Sequence, residues 1–536
     1  MVDPSYLAIY DFGLFPYALG DVLTWNIQTA IRCEELGRSQ VDIYLCVDGK
    51  QPANYFQLEL VNTDNCDLIF NELLAAFGMH PKIGNIFIYR QRDQMVLALR
   101  EACGTDTPNS KVLGDYEAAL GDYQRILTAG EGTPHLMLSY FSNHVTSHDR
   151  INSYAAAHGS VPLLRPSLGC GPDVSGLLTK RFARNRIVTV HMRLRRLDAG
   201  YGGSHTYARD SDFVEWYEFL RDAEKHHPDV QFVVMGRLQE KPLELLRLPN
   251  VLSLRALGLG LGHELTLLMN SDLFIGASSG FAAVANFSKT PCFITKMDPG
   301  ACRAYGIAPG SARLPFTGER QILVHEPETR DLLLQLLERG LRGVPPRNGP
   351  SGGPDAGIDP RSWEWEQSRW LHPGATTHRF FTDDGYREKE TAFLVWPAVR
   401  EAAAARKGGQ RDQAWTMLDR LDSCFPSLCA KFPDFLSLRA TLALERNNTD
   451  ILTLCNEHLA KLGVPTGLAV LTTALRRGWR RSYGARKRVW QRLFGEGVQA
   501  ARPTPAGLAS YIWNHRHKIP GKLRWEAKKL LRWVGA

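Results

Sequence analysis

Two segments of the 536-residue chain carry residue types that bind phosphate. Val190 to Asp198 reads VHMRLRRLD, an apolar run ending in His191, Arg193, Arg195, Arg196 and Asp198. Alternation along an extended chain puts His191, Arg193 and Arg195 on one face. Guanidinium groups bind phosphate through paired hydrogen bonds, and three at a strand end are costly to bury without anions. The bland alternative is a solvated loop whose arginines pair with nearby acids. Asn270 to Phe293 reads NSDLFIGASSGFAAVANFSKTPCF, a strand running through a Gly/Ser turn into a helix of small residues. Such a turn leaves the amides of Ser279, Gly280 and Phe281 open, and the helix dipole adds partial positive charge there. The Ser278 and Ser279 hydroxyls add donors, and Gly280 lets a phosphate approach the backbone. An ordinary strand-to-helix turn would carry the same residues. Gly236-Arg237, after the strand QFVVM, puts one more arginine at the same rim or on the plain surface.

The elements around these segments set their direction. In residues 1–180, Tyr6–Phe12 is strand-like, a loop carries Gly13, Pro16, Gly20 and Asp21, and Val22–Leu36 has helical spacing. Val41–Val47, Ile86–Tyr89 and Leu136–Phe141 are further strands, the βαβ pattern of a parallel sheet. Residues 181–342 repeat it, with strands at Arg186–His191, Asp229–Met235, Val251–Arg255, Asp272–Ile275 and Pro291–Thr295. Helices are expected at Phe213–His226, Glu264–Met269 and from Phe281. The expected fold class is α/β, as two doubly wound sheets, and ligands of such sheets lie at the carboxyl ends of the strands.

VHMRLRRLD, YARDSDFVEWYEF, QFVVMGR and SDLFIGASSGFAAVANFSKTPCF together resemble the donor half of GT-B glycosyltransferases. The similarity is greatest to the fucosyltransferase-like and lipopolysaccharide heptosyltransferase groups. The resemblance implies two Rossmann-like domains, an acceptor domain at 1–180 and a nucleotide-sugar donor domain at 181–342. It implies that one arginine of His191-x-Arg193-x-Arg195-Arg196-x-Asp198 meets the donor diphosphate. It also implies that Asp272, Gly276, Ser279 and Gly280 face the donor, and that the Gly20-Asp21 loop is on the acceptor side. The donor-binding set is then His191, Arg193, Arg195, Arg196, Arg237, Ser278, Ser279 and Gly280. Asp21 is the first choice for the base that takes the acceptor proton, with His144 and His148 as the others; Asp21 would equally cap the helix after it. Asp210-Ser211-Asp212 has the spacing of a metal-binding Asp-x-Asp. It precedes a helix, however, and Asp212 with Glu215 has capping-box spacing. No metal or other cofactor is therefore expected, and positive charge must come from arginines and the helix terminus.

The implied activity is sugar transfer from a nucleotide-diphosphate donor to a saccharide or glycolipid acceptor, in surface polysaccharide or lipopolysaccharide assembly. A sugar-nucleotide epimerase or a non-catalytic nucleotide-binding scaffold are the alternatives.

The remainder of the chain has a different composition. Residues 343–375 open with GVPPRNGPSGGPDAG and read as a linker. Residues 376–475 read as packed helices with one tetratricopeptide-like unit. Residues 476–536 hold 16 Lys and Arg against two acids, so the rest of a chain of net charge +8 carries −6. KLRWEAKKLLRWV, from Lys522 to Val534, has a basic amphipathic pattern that suits an anionic membrane surface or docking on the acidic body. No recognisable nucleic-acid module accompanies the charge. No apolar run of 18 residues spans a membrane, and Met1–Phe12 reads as a first strand, not a signal peptide. The ten cysteines form no CxxC pair and read as buried thiols. A cytoplasmic protein, peripheral at the inner membrane face, is the expectation.

Overall fold

The computed structural model describes residues 5–49, 61, 63, 66–129, 148–182, 185–194, 209–346 and 391–464. His144, Arg195, Arg196, the strand expected at Leu136–Phe141, most of the linker and the tail at 476–536 lie outside the described residues. The chain divides into two compact units at Leu394/Val395.

In the first unit the described strands form two parallel sheets. The smaller has the order β1-β2-β3, from Tyr6–Asp11, Val41–Cys46 and Ile83–Tyr89. β1, with the sequence YLAIYD, is buried at every position, as a covered parallel strand must be. The larger sheet contains β4 (Arg186–His191), β5 (Val230–Val234), β6 (Val251–Leu252), β7 (Leu273–Ala277), β8 (Cys292–Thr295) and β9 (Gln321–Leu323). Its order is β6-β5-β4-β7-β8-β9. The chain builds outward from β4 to β6, then returns to lay β7 on the other side of β4. This reversal is the topological switch point of a doubly wound sheet, where the ligand crevice opens beyond the carboxyl ends of the strands. His191 pairs in register with Gly276 there.

The described helices are α1 (Leu19–Glu35), α2 (Cys66–Phe77), α3 (Arg92–Cys103), α4 (Thr107–Ala129), α5 (His148–His158), α6 (Phe213–His226), α7 (Leu261–Met269), α8 (Gly280–Asn286) and α9 (Arg330–Leu341), with shorter turns between them. None is long and apolar enough to cross a membrane. One contiguous core joins the two sheets, with Tyr10 and Phe77 of the first half in the same cluster as Leu265, Phe281 and Ile294 of the second.

The loop between β1 and α1 is tightly built. Tyr10 sits among Phe12, Phe15, Trp25 and Phe77 at centroid separations of 4.7–5.3 Å, and its hydroxyl donates to the Pro16 carbonyl. Asp11, fully buried at the carboxyl end of β1, accepts two bonds from the Arg92 guanidinium at 2.6 and 3.0 Å. It also accepts from the Tyr116 hydroxyl and the Gly13 amide, each at 2.7 Å. With its oxygens fully engaged, this buried charge fixes the loop that delivers the first turn of α1.

The second unit, in its described part, consists of two helix pairs. α10 (Trp396–Lys407) packs with α11 (Arg411–Cys424), and α12 (Pro433–Glu445) with α13 (Thr449–Lys461). The first pair turns at Gly408-Gly409, where Gly409 has φ +86°.

A Cβ on Gly13 would lie 1.9 Å from Arg92 Nη2. Gly13→Ala must therefore displace the Arg92 guanidinium and weaken its pairing with buried Asp11. A loss of about 3 kcal/mol or more in urea unfolding is expected, against a surface Gly→Ala control at Gly114, where nothing lies within 4 Å.

Candidate active site

The switch-point crevice collects its walls from both halves of the first unit. On the wall from the second half, β4 ends at His191 and the chain leaves the sheet. The alternation expected to carry His191, Arg193 and Arg195 onto one strand face therefore stops one residue short of Met192. Arg193 lies beyond the strand, where its amide donates to Ser211 Oγ at 3.2 Å and its carbonyl accepts from the Ser211 amide at 2.7 Å. Its guanidinium donates to Asp210 at 2.7 Å, and Asp210 is buried. This internal pairing is the physical reason Arg193 is not a loose cation. Asp212 caps α6, accepting from the amides of Val214 at 2.9 Å and Glu215 at 3.3 Å. Both outer acids of Asp210-Ser211-Asp212 thus have structural partners.

His191 and the Gly/Ser turn converge. Ser279 Oγ lies 3.0 Å from His191 Nδ1, and Phe281 packs on the imidazole at a centroid distance of 4.6 Å. Burial, reinforced by Lys241 and Arg193, holds the His191 imidazole neutral, well below its ordinary range. Ser279 is the N-cap of α8, and the Gly280 and Phe281 amides of its first turn have no acceptor among the described residues. Asp272, expected to face the donor, instead precedes β7 at the amino end of the sheet and accepts from the Ile187 amide at 2.7 Å. The strand points it away from the crevice.

The opposing wall is the N-terminus of α1. The helix starts at Leu19 with Ala18 as N-cap, so Asp21 lies within the first turn and does not cap it. A Cβ on Gly280 would lie 2.8 Å from Leu19 Cβ and 2.9 Å from the Gly20 nitrogen. The space over Gly280, expected to admit a phosphate, is filled by this helix terminus. Gly280 is required there for helix-to-helix contact. Asp21 is half-buried, and burial pushes its carboxyl up from 3.8 to about 7, with Arg209 opposing the rise. A carboxyl near 7 is half-ionised at neutral pH, as a general base needs. Arg209 also bears electrostatically on Tyr305 and makes no hydrogen bond or ion pair with the described residues. Both Arg209 and Tyr305 were missed at the sequence level. Arg209 adjoins the noticed Asp-x-Asp run, and Tyr305 follows β8 with no motif around it.

His148, at the start of α5, is buried. Its ring stacks on Phe287 at 6.2 Å and meets Tyr305 edge-on at 4.9 Å. It forms part of the wall behind Ser278. Arg237 leaves the rim and pairs with Glu72 of α2 at 3.0 Å. Glu72 also reaches Arg255 at 3.5 Å, and Arg255 binds Glu264 at 2.9 Å. Glu264 accepts from the Gly236 amide at 3.0 Å, with fully buried Lys241 beside it. Gly236 has φ +100°, and a Cβ there would sit 3.0 Å from Lys241 Nζ. This alternating charge cluster braces the carboxyl end of β5. Among the described residues no cluster of His, Cys, Asp and Glu forms a metal site.

No protein-family model matches the chain, and no curated protein does. Solved structures give distant likenesses. One is the ADP-heptose lipopolysaccharide heptosyltransferase II of E. coli, at 12% identity over 63% of this chain and 97% of that one, with a TM-score of 0.36. Another is a family 9 glycosyl transferase from Veillonella parvula, at 10% identity over 64% and 91%, TM-score 0.34. A third is described as a UDP-N-acetylglucosamine 2-epimerase from Listeria monocytogenes, at 10% identity over 64% and 89%, TM-score 0.28. Likenesses this distant leave the crevice geometry to carry the functional reading.

The raised Asp21 carboxyl has a signed consequence for stability. Between about pH 4 and pH 7 the folded protein keeps a proton that the unfolded chain has released, so this group destabilises the fold as pH rises through that window. Asp21→Asn is expected to be more stable than the parent at pH 8 by on the order of 2 kcal/mol, discounted because the carboxyl is only partly buried. The two should match at pH 3, and thermal melts at both pH values measure the difference.

Proposed function

We propose that the first unit is a glycosyltransferase that moves a sugar from a nucleoside-diphosphate donor to a hydroxyl of a saccharide or glycolipid acceptor. One observation carries this reading. A half-buried carboxyl at Asp21, raised to about 7, stands on one wall of the switch-point crevice, facing the Ser279 hydroxyl and Arg209, which has no ion-pair partner among the described residues. In the proposed reaction Asp21 takes the proton of the acceptor hydroxyl, and the oxygen attacks the anomeric carbon of the donor. The bond from that carbon to the β-phosphate oxygen breaks, and its electron pair stays on the phosphate. Arg209 and the Ser278 and Ser279 hydroxyls stabilise the growing charge. Arg193 contributes a second positive charge in the state tied to Asp210, and His191 orients Ser279. No metal enters this scheme, because Asp210 is committed to Arg193 and Asp212 to the cap of α6.

The setting we propose is assembly of a surface polysaccharide or lipopolysaccharide on the cytoplasmic side of a membrane. The basic segment at 476–536 would meet anionic lipid there, and its 16 Lys and Arg against two acids support that role.

A thermal-shift panel of UDP-, GDP-, ADP- and CMP-sugars tests the reading, since a ligand that binds only the folded state raises Tm. One nucleotide family should shift the protein. Arg209→Ala should lose that shift. Asp21→Asn should keep it and lose donor turnover by about 10²–10⁴-fold. No shift from any donor would sink the proposal. Conversion of donor to its epimer would favour the epimerase, and binding without turnover the scaffold.

A further inference from the structure

Tyr305 follows the short helix Pro299–Ala304, and three residues of α5 hold it in place. Asn152 of α5 donates to its carbonyl at 3.0 Å. His148, on the same helix, meets its ring edge-on. The next residue, Gly306, has φ +64°, and a Cβ there would lie 2.7 Å from Asp149 Oδ1. Main chain and ring are both clamped against α5, so the hydroxyl has a fixed direction. It faces Ser278 Oγ, which follows β7 at the crevice and is 1% exposed, across 3.5 Å.

That separation is informative. Hydroxyl pairs bond best near 2.7–2.8 Å, and 3.5 Å is the outer limit. Each hydroxyl has only the other as a partner among the described residues. Two hydroxyl oxygens, each poorly satisfied, therefore stand side by side. The guanidinium of Arg209, which has no partner among the described residues, bears on the same Tyr305. An anionic oxygen set to one side of the pair, about 2.7 Å from each hydroxyl, would satisfy both donors and meet the cation.

We propose that Tyr305 Oη and Ser278 Oγ form a two-hydroxyl clamp for a phosphate oxygen of the nucleoside diphosphate whose charge Arg209 balances. The clamp rests on the donor-site reading above and adds Tyr305 to it as a binding residue. The hydroxyl contacts the anion and not the base, so its contribution appears only when the ligand carries phosphate.

UDP, GDP and ADP, each beside its own nucleoside, are titrated calorimetrically into the full-length protein and into Tyr305→Phe. The variant should bind the preferred diphosphate about tenfold more weakly, as loss of a hydrogen bond to a charged group predicts. It should bind the nucleoside as the parent does, and its Tm should be unchanged. A Tyr305→Phe protein that binds the diphosphate normally, or loses nucleoside and diphosphate equally, overturns the clamp and leaves the donor site standing. If the parent binds none of the three diphosphates, the donor site itself falls and the clamp with it. A second measurement needs no variant. Nitration of the parent protein by tetranitromethane, mapped by mass spectrometry, should be blocked at Tyr305 by the preferred diphosphate and not by its nucleoside. Equal nitration of Tyr305 with and without the diphosphate overturns the clamp.

Discussion

The backbones of Gly20 and Gly280 meet so closely that a Cβ on Gly280 would lie 2.9 Å from the Gly20 nitrogen. Each glycine opens the first turn of a helix, and the two helices come from opposite halves of the unit. This contact brings Asp21 to the carboxyl end of β7 and defines one crevice where two sheets alone would leave a gap. It is also electrostatically unusual, because two helix N-termini, each partially positive, are held together. Asp21 supplies a compensating carboxyl, and its burial keeps that carboxyl only half-ionised at neutral pH. The anchor lies one loop away, at the buried pair of Asp11 and Arg92. With the Tyr116 hydroxyl and the Gly13 amide, it sets the path by which α1 reaches Gly280.

Charge pairing sorts the arginines around the crevice. Arg193 is held by buried Asp210, and Arg237 by Glu72 across the two halves. Arg209 makes no such pair with the described residues and lies within electrostatic reach of Asp21 and Tyr305. A guanidinium already balanced by an internal carboxylate has less attraction left for a ligand than one that is not. The site therefore depends less on how many arginines the sequence places near a strand end than on which of them find carboxylates.

Much of the architecture was legible in the sequence because buried parallel strands are apolar and short. Arg186–His191 and Phe213–His226 match their expected bounds, and the strands at 230–234 and 273–277 fall within two residues. β9 was missed, since three residues of an edge strand carry no periodic signal. α3 and α4 were missed although their buried faces, Met95, Leu99 and Cys103 and then Leu113, Tyr116 and Tyr123, recur at helical spacing. Spacing singled out His191 and Ser279, and loop position Asp21; the fold brings all three to one crevice. Arg209 and Tyr305 were not singled out, because what sets them apart is the absence or presence of partners distant in sequence. The role of Gly280 was misassigned for the same reason. A glycine at a helix start signals close approach, and the sequence does not say whether a phosphate or another helix makes it.

The cluster of Glu72, Arg237, Arg255, Glu264 and Lys241 limits how the protein can be rearranged by recombination. Glu72 belongs to α2 in the first half, while its cationic partners belong to the second. A chimera joining this second half to a foreign first half would inherit two arginines stripped of their shared carboxylate, one of them almost wholly out of water. Any recombination of the two halves must therefore carry α2 along with the arginines it neutralises.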